Sequence, residues 1–455
     1  MYKYSPTFRQ SPAKVRYGFS QIRLKNIHYV LCIVLFAAGF LHLTDKQHRY
    51  DISPGKSSPI ADTAALVQSS EQRNIMRLRK PEHAIGEEPQ LNLVELDTAD
   101  KSSAVEHISR AFPIWIDDRR VADNNIRPYD WCVSEEDTSK DINPKGLLFV
   151  KVKKSGSSTG AGATLRIRDG LSRRLTDANT ESPVSCYAHY KHDTASELNL
   201  QNRDTSQSFL WSIVRDPAQR TLSNYFYFSI SRQNYTATED GIMAVLNSSK
   251  GHNYQSKYLD LPSQNNAQSS PTDRIINGYD FLAVNERMDE SLVVLSMLAQ
   301  VPLADLVVVS SKVAGGYDGG NGRSCVKLQE KWTTSKIDEY IAGDYQIANK
   351  DDYLLYNAAQ RSLDKTIDAL GRQRVEENVE LLRSLQQQNE EQCSRKITMP
   401  CPEPKNAHKI REHRRRTTES CYFSDIGCGH ACTDVVLGDH ADKEWASITS
   451  LQSVN

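Results

Sequence analysis

From Gly146 onward, short runs of β-branched and aromatic residues alternate with longer amphipathic stretches, a pattern that predicts strands each feeding a helix. Leu147 to Val152 is the first such strand. Thr159 to Leu175 is the helix after it, with Ala163, Ile167 and Leu171 on one face and Gly160 and Gly162 weakening its first turn. Ser208 to Val214 predicts a second strand, ended by Asp216-Pro217 because proline does not continue a central ladder. Ala218 to Arg232 reads as its helix. Phe281 to Val284 and Leu306 to Ser310 predict a third and a fourth strand, with a helix from Glu286 to Gln300 between them. Gly315 to Gly322 is loop by composition, and Asp351 to about Gln388 is helical in two pieces with a break near Gly371. Strands alternating with helices define an α/β fold with a parallel sheet.

The apolar pattern upstream is different. Ile27 to Thr44 is the one long apolar run, marginally long enough to cross a bilayer as a helix, and residues 1–26 before it carry Lys3, Arg9, Lys14, Arg16, Arg23 and Lys25 with no acid. A cleaved signal peptide is disfavoured by the long basic region and by the lack of a clear small-x-small cleavage site. The basic flank places the N-terminus in the cytosol. The expected organisation is therefore a cytosolic tail (1–26), a type II signal anchor (27–44), a polar stem (45–110), a lumenal catalytic domain (111–372), and a C-terminal helix with a cysteine-rich extension (373–455). The short span suits the thinner membranes of the early secretory pathway. Two sequons, beginning at Asn234 and Asn247, fit the lumenal side.

Over all 455 residues the formal net charge is −1, which selects no class of partner and gives no sign of nucleic-acid binding. Of nine cysteines, eight follow the apolar run, an even number that favours disulfides in an oxidising compartment. Five lie at Cys393, Cys401, Cys421, Cys428 and Cys432, so at least one either stays free or pairs with Cys132, Cys186 or Cys325. Zinc is disfavoured because no C-x-x-C pair is present. The basic run Lys405 to Arg416 reads as a solvated loop or processing site, with an anionic polysaccharide as the rival occupant.

The candidate chemistry sits where the first strand meets its helix. Lys154, Ser155, Gly156, Ser157, Ser158 and Thr159 combine a compact cation, a glycine that permits close backbone approach, hydroxyl donors and a helix N-terminus. That is an anion cradle. The spacing is not that of an ATP-binding P-loop, because the lysine precedes the only loop glycine, and kinase and ATPase readings are set aside. At the second junction, Arg215 at a strand end and Ser223 in the next helix converge on one point and suit a phosphate monoester. Asp216, before Pro217, reads as a helix cap.

The loop Phe149 to Thr159 (FVKVKKSGSST) resembles the 5′-phosphosulfate loop of the Golgi carbohydrate sulfotransferases, closest to the galactose-3-O-sulfotransferase branch, whose loop typically reads FLKTHKTGSST. Lys153 stands where that branch often has histidine. The segment R-D-P-x-x-R-x-x-S-x-Y from Arg215 to Tyr225 is similar to the family's 3′-phosphate motif. Asn285 to Leu292 and Asp352 to Asn357 resemble two further segments, for which a capped helix and a core-packing face are sufficient accounts.

The resemblance covers about residues 145–372. It implies a P-loop-like sulfotransferase fold, 3′-phosphoadenosine-5′-phosphosulfate as donor substrate, a carbohydrate acceptor and a Golgi membrane location. It also implies no required metal, with lysine and backbone donors in its place. Lys154 is the expected stabiliser of the leaving phosphate. Related enzymes carry a histidine at a strand end between the two motifs, which makes His189 the first candidate base and His192 the second. Two alternatives remain: a catalytically silent nucleotide- or glycan-binding member of the fold, and transfer to protein tyrosine.

Overall fold

Gly146–Val150, Ala188–His189, Ser208–Val214 and Phe281–Val284 (β1 to β4) form one fully parallel sheet in the spatial order β2-β1-β3-β4. The computed structural model describes residues 114–115, 130–134, 143–176, 184–262, 269–309, 312, 314–319, 325–394, 396–397, 421–422, 427–428 and 430–452. Every residue of the four strands is buried, as a parallel sheet covered by helices requires. The expected tail, apolar run and stem lie outside the described residues, as does the basic run 405–416. Among the described residues no helix is long and apolar enough to cross a membrane.

Helices α1 (Ser157–Leu175), α2 (Pro217–Tyr225), α3 (Glu239–Leu246), α4 (Tyr254–Leu259), α5 (Pro271–Gly278) and α6 (Met288–Ala299) follow the first strands. After them come α7 (Ser335–Tyr340), α8 (Lys350–Leu370), α9 (Arg372–Cys393) and α10 (Ala431–Gln452). The break at Gly371 is where α8 turns into α9, on a positive φ of 94°. α9 and α10 are not a separate appendage: Leu382, Leu385, Leu437 and Ala441 are buried in the same core as the sheet. Disulfides Cys132–Cys186 and Cys393–Cys432 tie the start of the folded part to the segment before β2, and α9 to α10.

One expected strand is absent. Leu303–Leu306 is a 3₁₀ turn and 307–309 join no sheet. The cause is Asp305, a buried carboxylate that accepts from the Nη1 and Nη2 groups of Arg174 at 2.6 and 3.0 Å and so pins the chain in a turn. The fourth strand of the sheet is instead the two-residue β2, too short for its pattern to mark. Two smaller differences follow from local chemistry. The helix expected over Ala218 to Arg232 widens into a π-helical turn at Phe226–Ser231, and Tyr317–Gly319, within the expected loop, pairs antiparallel with Cys325–Lys327.

The sheet also explains Gly160. The ring of Phe149 on β1 lies 4.5 Å from that of Trp211 on β3, and α1 packs on this face of the sheet through Gly160 against Phe149 and Ile213. A Cβ on Gly160 would meet the Phe149 ring and lie 2.8 Å from Ile213 Cδ1, so the residue that weakens the helix in isolation is what lets it reach the sheet. Gly160→Val is therefore expected to destabilise the fold by about 1–3 kcal/mol through overpacking, read as a lower midpoint in thermal or urea unfolding. An unchanged midpoint would contradict this packing.

Candidate functional site

In the sheet order, β1 connects onward to β2 on one side while β3 and β4 lie on the other, so the chain changes direction between β1 and β3. In open parallel sheets the crevice at the carboxyl ends of such strands is where ligands bind. The register Val150↔Ser212 ends β1 two residues before β3 ends at Val214, so the loops that follow them leave the sheet next to each other. A cavity of about 440 Å³ opens there.

Most of the residues expected from the two motifs line this cavity. Lys153, Lys154, Gly156, Ser157, Ser158 and Thr159 come from the first, and Arg215 and Ser223 from the second. The loop is shaped by two left-handed residues, Lys154 at φ 67° and Gly156 at φ 81°. At Gly156 the left-handed φ disfavours any side chain, and a Cβ there would press on the Asn285 and Met288 side chains. The first turn of α1 carries no acid and no side-chain cap, which leaves its orphan backbone N–H groups aimed at the cavity's edge. Ser155 differs from its neighbours: it is fully buried and its hydroxyl donates to the Val152 carbonyl at 3.0 Å, holding the loop's shape instead of facing the cavity.

The two loops are bonded to each other. Arg215 Nη1 donates to the Lys154 carbonyl at 3.1 Å, and the Arg215 side chain also lies 3.8 Å from Glu286. Asp216 accepts from the Gln219 N–H at 2.8 Å, the helix cap expected of it.

The remaining lining includes residues that neither motif marks: His192, Tyr227, Phe228, Arg232, Asn285 and Lys312. Tyr227, Phe228 and Arg232 reach the cavity from the π-helical turn and the residue after it, where the extra residue per turn rotates the side chains that follow Ser223. The Lys154 ammonium rests 3.7 Å from the centroid of the Tyr227 ring, and the Tyr227 hydroxyl donates to Asp318. Lys312 stands in a left-handed conformation on the segment that leads to the Asp318 hairpin. A charged side chain in a composition-defined loop gives no sequence signal of this placement.

The two candidate histidines are separated by the structure. His189 is buried at the end of β2, is not part of the cavity lining, and sits 3.5 Å from Asp193. Burial lowers its pKa, and Asp193 only partly opposes this. His192 is exposed and lines the cavity, with Nδ1 2.7 Å from the Lys151 carbonyl. A carbonyl only accepts, so Nδ1 carries the proton, and in the neutral ring Nε2 is the basic nitrogen.

Burial, with Lys312 and Arg215 alongside, pulls the Lys154 ammonium down to about 8, Asp318 pushing the other way. Among the described residues, five cationic side chains and no carboxylate line the cavity. Among the described residues no cluster of three or more histidine, cysteine, aspartate or glutamate side chains stands ready for a metal ion. The class defined by fold and site is thus an α/β protein with a cationic cavity at the carboxyl ends of its parallel strands. Comparison with family models, curated proteins and solved structures gave no match to this chain.

The lowered Lys154 has a consequence for stability. Its folded pKa lies below that of an exposed lysine, so the unfolded chain binds more protons above about pH 8, and stability rises with pH from there toward about pH 10. Lys154→Met is expected to raise the unfolding temperature of the ligand-free protein at about pH 7 and to flatten that rise. Differential scanning fluorimetry across the range checks both; a Lys154→Met protein less stable than the parent at neutral pH would contradict the account.

Proposed function

We propose that this chain is a carbohydrate sulfotransferase of the Golgi membrane, moving a sulfuryl group from 3′-phosphoadenosine-5′-phosphosulfate to a sugar hydroxyl of a glycan, glycolipid or polysaccharide. The observation that carries the reading is the convergence of two separate motifs, Lys154 to Thr159 and Arg215 with Ser223, on one cavity. A single basic loop is a common surface feature. Two anion receptors at adjacent strand ends suit a ligand with phosphate at both the 5′ and 3′ positions. The cavity's volume is in the range of small-molecule sites. The disulfides support an oxidising compartment, and the apolar run Ile27 to Thr44 supports anchoring by one helix with the catalytic part lumenal.

In this reading the backbone N–H groups of Ser157, Ser158 and Thr159 hold the 5′-phosphate, and Arg215 and Ser223 hold the 3′-phosphate. The acceptor oxygen bonds to sulfur as the bond from sulfur to the 5′-phosphate oxygen breaks, and the electron pair stays with the phosphate. Lys154 stabilises that charge. Its desolvation by burial leaves an ammonium that gains from a dianion, so binding favours the protonated lysine and weakens as pH rises past about 8. His192 Nε2 receives the acceptor proton. His192 takes this role before His189 because it faces the cavity, whereas His189 is buried away from it with its neutral form favoured. Positioning and electrostatics supply the rate, as in phosphoryl transfer.

Incubation of the purified protein with labelled donor and a panel of neutral and desulfated glycans tests the reading. Transfer to at least one glycan is expected, reduced on the order of 10²- to 10³-fold by Lys154→Ala and by Arg215→Ala. His192→Ala is expected to lower turnover far more than His189→Ala at unchanged donor affinity. Donor binding without transfer would point to a silent member of the fold, transfer only to tyrosine peptides to a protein-directed enzyme, and unaltered turnover in the Lys154 and Arg215 variants would overturn the site.

A further inference from the structure

Arg215 stands one residue beyond the last rung of the sheet. β4 pairs with β3 as far as Val214↔Val284, and β1 as far as Ser212↔Val150, so the ladder supplies no partner for the Arg215 main chain. The side chain of Gln255 supplies both. Its Oε1 accepts from the Arg215 N–H at 2.9 Å, and its Nε2 donates to the Arg215 carbonyl at 2.7 Å, the pair of bonds a neighbouring strand would have made. Gln255 is itself fully buried.

What fixes Gln255 is Asp352 at the start of α8. The two oxygens of this buried carboxylate accept from the Gln255 N–H at 3.0 Å, the Ser256 N–H at 2.7 Å and the Ser256 hydroxyl at 2.6 Å. A reciprocal asparagine pair locks the same junction. Asn349 accepts from the Asn253 N–H at 3.1 Å, and Asn253 accepts from the Asp351 and Asp352 N–H groups at 3.1 and 3.3 Å. Asp352 is therefore more than one residue of a packing face.

We infer that Gln255, held by Asp352, is a positioning residue that sets the main chain of Arg215 and thereby the protein's preference for a nucleotide carrying a 3′-phosphate. The inference rests on the reading of Arg215 as the 3′-phosphate receptor. The guanidinium is aimed from two ends: the Lys154 carbonyl holds its tip, and Gln255 holds the backbone from which it extends. A group placed by its backbone loses aim when the backbone relaxes, and in this reading the loss falls on its contact with the 3′-phosphate.

The test is the affinity of the full-length chain for 3′-phosphoadenosine-5′-phosphate relative to adenosine 5′-monophosphate, by isothermal titration calorimetry. The parent is expected to favour the bisphosphate. Gln255→Leu leaves two buried backbone groups unpaired and is expected to cut that preference on the order of tenfold at unchanged monophosphate affinity. On an Arg215→Ala background it is expected to add no further loss of preference. Gln255→Met keeps nearly the same length and removes both bonds without a buried charge, so a similar loss of preference is expected; this variant decides the matter if Gln255→Leu does not fold. A preference unchanged in the folded Gln255 variants, with or without a fall in unfolding temperature, would overturn the positioning role and leave the donor reading intact. A parent chain that does not distinguish the two nucleotides would overturn both.

Discussion

The pairing of two parallel strands sets everything that follows at the site. Because β1 and β3 run side by side in the same direction, the loops that leave their carboxyl ends emerge next to each other, and the Arg215 guanidinium reaches the Lys154 carbonyl at 3.1 Å. Each loop alone is an ordinary strand-to-helix turn. Joined, they gather cationic side chains and free helix N–H groups around one volume. The close approach of α1 to the sheet, allowed by Gly160 against the Phe149 ring and Ile213, keeps the first loop tight enough for this to happen.

Gathering cations costs stability, and the structure shows where the cost falls. Lys154 is brought out of water beside Lys312 and Arg215 and gives up part of its affinity for its proton. Two contacts hold it there: the face of Tyr227, and the field of Asp318, which itself accepts from the Tyr227 hydroxyl. The electrostatics of the cavity favour a negatively charged occupant. Support for it comes from distant parts of the chain, since the Arg215 main chain is held by Gln255 and Gln255 by Asp352 on α8.

Much of this was legible in the sequence where chemistry and pattern coincide. The strands at 146–150, 208–214 and 281–284 are mostly apolar runs, with Ser208 and Ser212 the polar residues of the second, and the loop from Lys154 to Thr159 and the Arg215 and Ser223 pair carry their chemistry within short stretches. What was not legible depends on contacts between distant residues. The run Leu306 to Ser310 has strand composition, but a buried pairing of Asp305 with Arg174 turns it aside. His189 and His192 are close in sequence, and only the path of the chain after β2 puts the second at the cavity and buries the first. Gln255 carries no motif at all: its importance lies in which backbone it meets. Lys312, Phe228 and Arg232 are hidden for the same reason.

The central claim is that the two strand-end loops together receive the two phosphate positions of one nucleotide. A crystal structure of the protein grown with 3′-phosphoadenosine-5′-phosphate tests it most directly. The account predicts the 5′-phosphate against the N–H groups of Ser157 to Thr159 with Lys154 in contact, and the 3′-phosphate on Arg215 and Ser223. A nucleotide bound elsewhere, or one with only its 5′-phosphate engaged and Arg215 still turned to Glu286, would contradict it.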